Sequence, residues 1–270
     1  MRYINIQSAL HSLPAGATAA LTKKHQRITN GNDAIKINTI DSGSSTWTQA
    51  KATLERASNR KCWYTESKNA GCVNDVDHFR PKGRIANATG SVDYWYWFLA
   101  FDPENYRLSC QFANRPNDNP LLGATGGKHH FFPLLNSQAH ATNKAGITSE
   151  NPVLLDPCNQ ADCDLLQFQP DGRPVVAQAF RTNATACLRV EESKLLLNLD
   201  YPTFNEDREQ IYNRVKTLVD RGDGYGPGQA RSDVQDDLRI LMHQDSAYSK
   251  AAECYIRCFR DRDWVEELFI

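Results

Sequence analysis

Two adjacent residues, Asp77 and His78, have side chains suited to hydrolysis, and two amides follow them, Asn105 and Asn114. Splitting a phosphodiester needs a water made nucleophilic beside an anionic centre. It also needs the charge on the leaving 3′-oxygen to be neutralised. A neutral imidazole takes a proton from water near pH 7, because its pKa lies close to there. A divalent metal ion binds the scissile phosphate and the leaving oxygen as a Lewis acid. A hard ion such as Mg²⁺ prefers the oxygens that an Asp carboxylate and an Asn carbonyl supply. Asp77 and His78 can thus divide the labour. Successive strand residues point to opposite faces, so the pair works where a strand ends or bends, and Pro81 and Gly83 make such a bend. Arg80 and Lys82 are cations that could contact phosphate, as a fork or a point charge. His129-His130, ahead of Phe131-Phe132-Pro133, could supply a metal ligand or a further phosphate contact. Plainer readings stand beside these: a hydrogen-bonded Asp-His pair, a turn at Asn105, a helix cap at Asn114, and a solvated basic loop.

The segments that must position these residues fall into three parts. Residues 1–57 read as a helical segment, from LTKKHQRITN and STWTQAKATLERASNRK, with a turn at Asn30-Gly31 between them. Residues 58–175 hold most of the tryptophans, prolines and histidines, and form the core around the site. There KCWYTE and VNDVDHFRPK read as short strands or strand ends. Trp95, Phe98, Leu99 and Asp102 recur at helical spacing, which predicts a helix with one apolar face. The aromatics around them fit a buried core better than a base-stacking surface. PVLLDPC reads as a buried extended piece, and Pro170-Asp171-Gly172 as a turn. Residues 176–270 read as helical, interrupted by the loop GDGYGPG. The expected class is α+β, mostly helical.

Composition narrows the function. With 31 basic and 32 acidic side chains, the net charge is −1, so no overall positive field marks a nucleic-acid binder. A local patch at a cleft would have to supply it. No apolar run approaches the roughly 18 residues of a membrane span, and MRYINIQSALHSLP lacks the pattern of a signal peptide. A cytoplasmic protein without membrane association is expected, and its 8 cysteines are then expected as thiols or metal ligands.

Cys62-Trp63-Tyr64-Thr65-Glu66, Val76-Asp77-His78-Phe79-Arg80-Pro81-Lys82-Gly83, Tyr96 to Asp102, Glu104 to Gln111 and Asn114-Arg115 stand in an order that resembles the HNH (ββα-metal) endonucleases. Phe132-Pro133-Leu134 and Glu150 to Pro157 narrow the resemblance to the HNH subunit of Septu-type anti-phage systems, also found beside retrons. It spans roughly residues 60–175. The resemblance implies a ββα-metal core flanked by helices, with His78 as general base and Asp77 as a metal ligand. Asn105 would brace the loop that carries the base, and Asn114 would be a second metal ligand. It also implies one Mg²⁺ or Mn²⁺, DNA as substrate and an ABC/SMC-type ATPase as partner. Two departures stand out. The family's zinc knuckles are C-x-x-C pairs, but here Thr65 and Ala113 replace the second cysteines after Cys62 and Cys110. Two thiolates do not close a tetrahedral zinc site, so Cys72 and a histidine would have to substitute. The lysine usual shortly after the Asn114 position is also missing, and the nearest is Lys128.

Overall fold

A computed structural model describes residues 1–68, 71, 73–86, 92–137 and 139–270. Helix covers about half of the chain, less than the mostly helical content expected, and the class is α+β. The helices are α1 Ile6–Leu10, α2 Ala15–Thr29, α3 Asp33–Asp41, α4 Ser44–Trp47, α5 Lys51–Ala57, α6 Gln111–Asn114, α7 Gln160–Cys163, α8 Ala184–Leu196, α9 Pro202–Asp223, α10 Gln229–Met242, α11 Ser249–Arg257 and α12 Asp263–Glu266. The strands are β1 Asp75–His78, β2 Arg84–Ala86, β3 Val92–Trp95, β4 Tyr106–Ser109, β5 Asn117–Asn119, β6 Ala124–Gly126, β7 Leu166–Phe168 and β8 Pro174–Val176. They pair antiparallel as β1-β4, β2-β3, β5-β6 and β7-β8. Among the described residues no helix is long and apolar enough to cross a membrane.

The expected helix over Trp95 to Asp102 does not form. Val92–Trp95 is a strand paired with β2, and Trp97–Leu99 is a single 3₁₀ turn. The reason lies in where its apolar residues go. Tyr96, Phe98 and Leu99 enter one core cluster, while Ala100 and Phe101 enter another. A helix with one apolar face serves one core; this segment runs between two and is buried on both sides. KCWYTE likewise forms no strand but a turn that ends with Glu66 at a left-handed φ of 61°. The turn at Asp171-Gly172 forms as expected; Val153 to Leu155 are buried as expected, but Val153 and Leu154 bend rather than extend.

Three core clusters hold the fold together. Leu21, Ile28, Ile40, Trp47, Ala50 and Leu54 of the N-terminal helices pack on Tyr106 and Leu108 of β4. A second cluster joins Tyr64, Phe79, Cys110 and Phe132 to Leu154, Leu155 and Val190. The third lies within the C-terminal helices, where Val215, Val219, Val234, Leu238, Tyr255 and Ile256 meet. Glu66 ties that last bundle to the centre. Its carboxylate accepts from Lys61 Nζ at 3.2 Å, Ser249 Oγ at 2.9 Å and the Lys250 N–H at 3.1 Å. Burial alone would raise its pKa, but the α-amino group of Met1 and the Lys61 ammonium outweigh burial and hold the carboxyl below its usual range. The carboxylate thereby caps α11 from a distant part of the chain.

Candidate active site

The site forms at the end of the β1-β4 ribbon. The register pairs Asp77 with Arg107 and His78 with Tyr106, and the chain leaves the ladder just beyond. Asn105 fixes that exit. Its backbone carbonyl accepts the Phe79 N–H at 2.8 Å. Its side chain clamps Arg80 at both ends, Oδ1 accepting the Arg80 N–H and Nδ2 donating to the Arg80 carbonyl, each at 2.9 Å. Asn105 is buried, so loss of its amide would strand buried backbone groups. The Arg80 guanidinium points away from Asp77 and His78, donating to Glu150 at 2.7 Å. Glu150 also accepts from Tyr96 and from the Ala141 N–H, each at 2.7 Å, so Arg80 is committed to a structural tie.

His78 is 3% exposed, its ring held edge-on between Trp47 at 5.1 Å and Tyr106 at 4.9 Å. Nε2 lies 2.9 Å from the Ala100 carbonyl. A carbonyl oxygen only accepts, so Nε2 carries the proton and Nδ1 the lone pair. Tyr106 donates to the same carbonyl at 3.0 Å. Burial, followed by the charges of Lys82 and Lys128, holds the imidazole pKa well below its usual value. His78 is therefore neutral near pH 7, in one tautomer, with the lone pair on Nδ1.

Asp77 is buried at 5% exposure, and both of its oxygens have partners. Tyr64 donates its hydroxyl to Oδ2 at 2.7 Å. Lys128 donates from Nζ to Oδ1 at 2.9 Å, and to the His78 carbonyl at 2.6 Å. Lys128 is fully buried, and its pKa is lowered by burial against the pull of Asp77. The β5-β6 hairpin explains how a lysine so far along the chain arrives here. The hairpin leaves after Asn114 and returns so that the Lys128 N–H meets the Ala113 carbonyl and the His129 N–H meets that of Asn114, both at 2.9 Å. Gly127 makes the return possible. It sits at φ 97°, and a Cβ there would stand 1.9 Å from the Arg115 carbonyl oxygen.

Asn114 ends α6, and its Nδ2 donates to Asp75 Oδ2 at 3.0 Å. Arg115 holds the same carboxylate with two bonds of 3.0 Å. Because the amide nitrogen is the anchored end, Oδ1 is left as the acceptor. Asp75 and Asp77 lie two apart on β1 and share a face, so Asn114 is tied to the face that carries Asp77. A carboxylate has about four lone-pair sites, and Asp77 uses two. The donor chemistry, one carboxylate and one amide oxygen with water, fits a hard divalent cation. Among the described residues no group of three or more His, Cys, Asp or Glu converges, and a Mg²⁺ site does not require one.

Lys82 and the two histidines complete the surroundings. The Lys82 ammonium lies 4.8 Å from the Trp47 ring centroid and makes no ion pair or hydrogen bond among the described residues. Burial lowers its pKa, and Asp77 partly offsets this. His130 packs against Gly83, and its ring lies 4.0 Å from that of His129. Burial, then His129, Lys82 and Lys128, push the His130 pKa down to about 4, and burial lowers that of His129 too. The fold thus gathers Asp77, His78, Asn105, Lys82, His129 and His130 around one strand end, holds Asn114 at Asp75 at the other end of β1, and turns Arg80 aside.

Behind the site, Cys62 and Cys110 are both buried and close enough to influence each other's charge. Burial disfavours the thiolate at Cys62, but its neighbours Cys110 and Thr65 outweigh burial and lower its pKa to about 6, while Cys62 and then burial raise that of Cys110. Thr65 takes the place of a third ligand, its Oγ1 lying 3.9 Å from Cys110 Sγ and 2.8 Å from Ser67 Oγ. Cys72, the remaining candidate ligand, lies outside the described residues. Sequence reasoning passed over Trp47, Tyr64 and the contact of Lys128 with Asp77. Only Lys128 left a signal, as the nearest lysine after Asn114.

No family model matches the chain. Over 125 residues it is 30% identical to the Septu protein PtuB of Bacillus mycoides (strain KBAB4). That stretch is 45% of this chain and 39% of the relative, so the chain spans about two fifths of the length of the curated protein it matches.

Proposed function

We propose that this chain is a metal-dependent HNH endonuclease that hydrolyses DNA phosphodiester bonds in anti-phage defence, beside an ABC/SMC-type ATPase. The observation that carries the reading is His78: a neutral imidazole whose Nε2 proton is fixed by the Ala100 carbonyl, directly after a buried carboxylate, on a strand end clamped by Asn105. Nδ1 takes a proton from water, the hydroxide attacks phosphorus, and the bond to the 3′-oxygen breaks. Asp77 and Asn114 would hold one Mg²⁺ or Mn²⁺, which supplies Lewis-acid stabilisation to the phosphate and leaving oxygen. Lys82, without an ion pair among the described residues, would meet a phosphate beside His78. The likeness to a Septu protein supports the defence setting and the association with a partner.

The experiment is end-group analysis of DNA incubated with the purified chain in Mg²⁺ or Mn²⁺. Departure of the 3′-oxygen predicts fragments with 5′-phosphate and 3′-hydroxyl ends. Fragments with 3′-phosphate ends would refute the attack geometry. One observation favours a second reading, a catalytically degenerate scaffold on the same fold: Asp77 already has a cation, Lys128, as its partner. That reading predicts no metal binding and no effect of Asp77→Ala on it.

A further inference from the structure

The ion pair between Lys128 and Asp77 has an arrangement that a structural tie does not require. Lys128 is fully buried, and its Nζ is shared between Asp77 Oδ1 at 2.9 Å and the His78 carbonyl at 2.6 Å. Asp77 is the carboxylate with which Lys128 pairs among the described residues. A buried carboxylate needs a compensating charge, and this ammonium supplies it. The route by which Lys128 arrives, over a hairpin closed by the left-handed Gly127, holds the lysine backbone on Ala113, next to Asn114.

We infer that Lys128 is a resident counter-cation that competes with the divalent metal for Asp77. The inference rests on the reading of Asp77 as a metal ligand. An ammonium and a divalent ion on one carboxylate repel each other strongly in a water-poor site. Metal entry therefore requires the lysine to be pushed aside. The free chain is a weak site for the bare ion, and the pocket stays folded without metal because Lys128 balances Asp77. Lys128 is a positioning residue, setting the affinity of the site through Asp77.

The test is Mn²⁺ titration of the full chain followed by the paramagnetic signal of the free ion, with thermal melting in parallel. Lys128→Met keeps the length and removes the charge; Lys128→Gln keeps a polar end in case the first variant folds poorly. Both are expected to bind Mn²⁺ at least about tenfold more tightly than the parent, the scale on which supporting groups tune metal sites. Their melting temperatures should also rise more steeply with Mn²⁺ than that of the parent. Unchanged or weaker Mn²⁺ binding in both variants would overturn the competition. Asp77→Asn in the Lys128→Met background separates the two claims. Loss of the tightened binding supports both, whereas retention of it shows that the ion is not on Asp77 and overturns the ligand reading itself.

Discussion

At the scale of single residues, the placement of the candidate groups was legible where they are contiguous in sequence. Asp77 and His78 are neighbours, and the amide of Asn105 grips the backbone of Arg80 on both sides. Asn105→Ala removes two part-buried hydrogen bonds to the Arg80 backbone, so a loss of about 1–3 kcal/mol is expected in denaturant unfolding. Tyr64→Phe removes only the hydroxyl that orients Asp77, and about 1–2 kcal/mol is expected. Arg80 was less legible. A cation beside a proposed site reads as a phosphate ligand, but its partner Glu150 is distant in sequence. Trp47 was illegible because nothing in a helical tryptophan states which ring it will face.

At the scale of elements, periodicity failed where a segment serves two cores. The spacing from Trp95 to Asp102 fits a helix, yet the chain feeds Tyr96 and Phe101 into different clusters and cannot keep one face. The β5-β6 hairpin hid Lys128 in the same way, since distance along the chain conceals a return in space. Its hinge is testable. Gly127→Ala places a Cβ 1.9 Å from the Arg115 carbonyl oxygen and should destabilise the chain by at least about 2 kcal/mol. The Glu66 tie makes a prediction in pH. Its folded pKa lies below the usual value of 4.5. The stabilisation is therefore fully present above that value and is lost as pH falls through the lowered one. Glu66→Gln should cost about 3–5 kcal/mol at pH 7 by leaving Lys61 uncompensated. Melting curves of parent and variant should converge in acid below pH 4.5.

At the scale of the molecule, each core cluster draws residues from more than one of the three sequence segments. The N-terminal helices bury one face of β4 and supply Trp47 to the ring of His78. Leu21, Ile28, Ile40, Trp47 and Leu54 are each worth roughly 2 kcal/mol of burial, which together rivals the ~5–15 kcal/mol net stability of a whole domain. Deleting residues 1–57 is expected to abolish cooperative unfolding, seen by circular dichroism. Net charge, read from composition alone, said little about the site, because Lys82 and Lys128 act locally on His78.

The central claim is that His78 is the base of a phosphodiester-cleaving centre. It is tested most directly by DNA cleavage with the parent chain and with His78→Ala in Mg²⁺ or Mn²⁺, after both are shown to melt alike. The account predicts at least a ~10²-fold loss of cleavage for the variant. Cleavage by His78→Ala at the parental rate would contradict it.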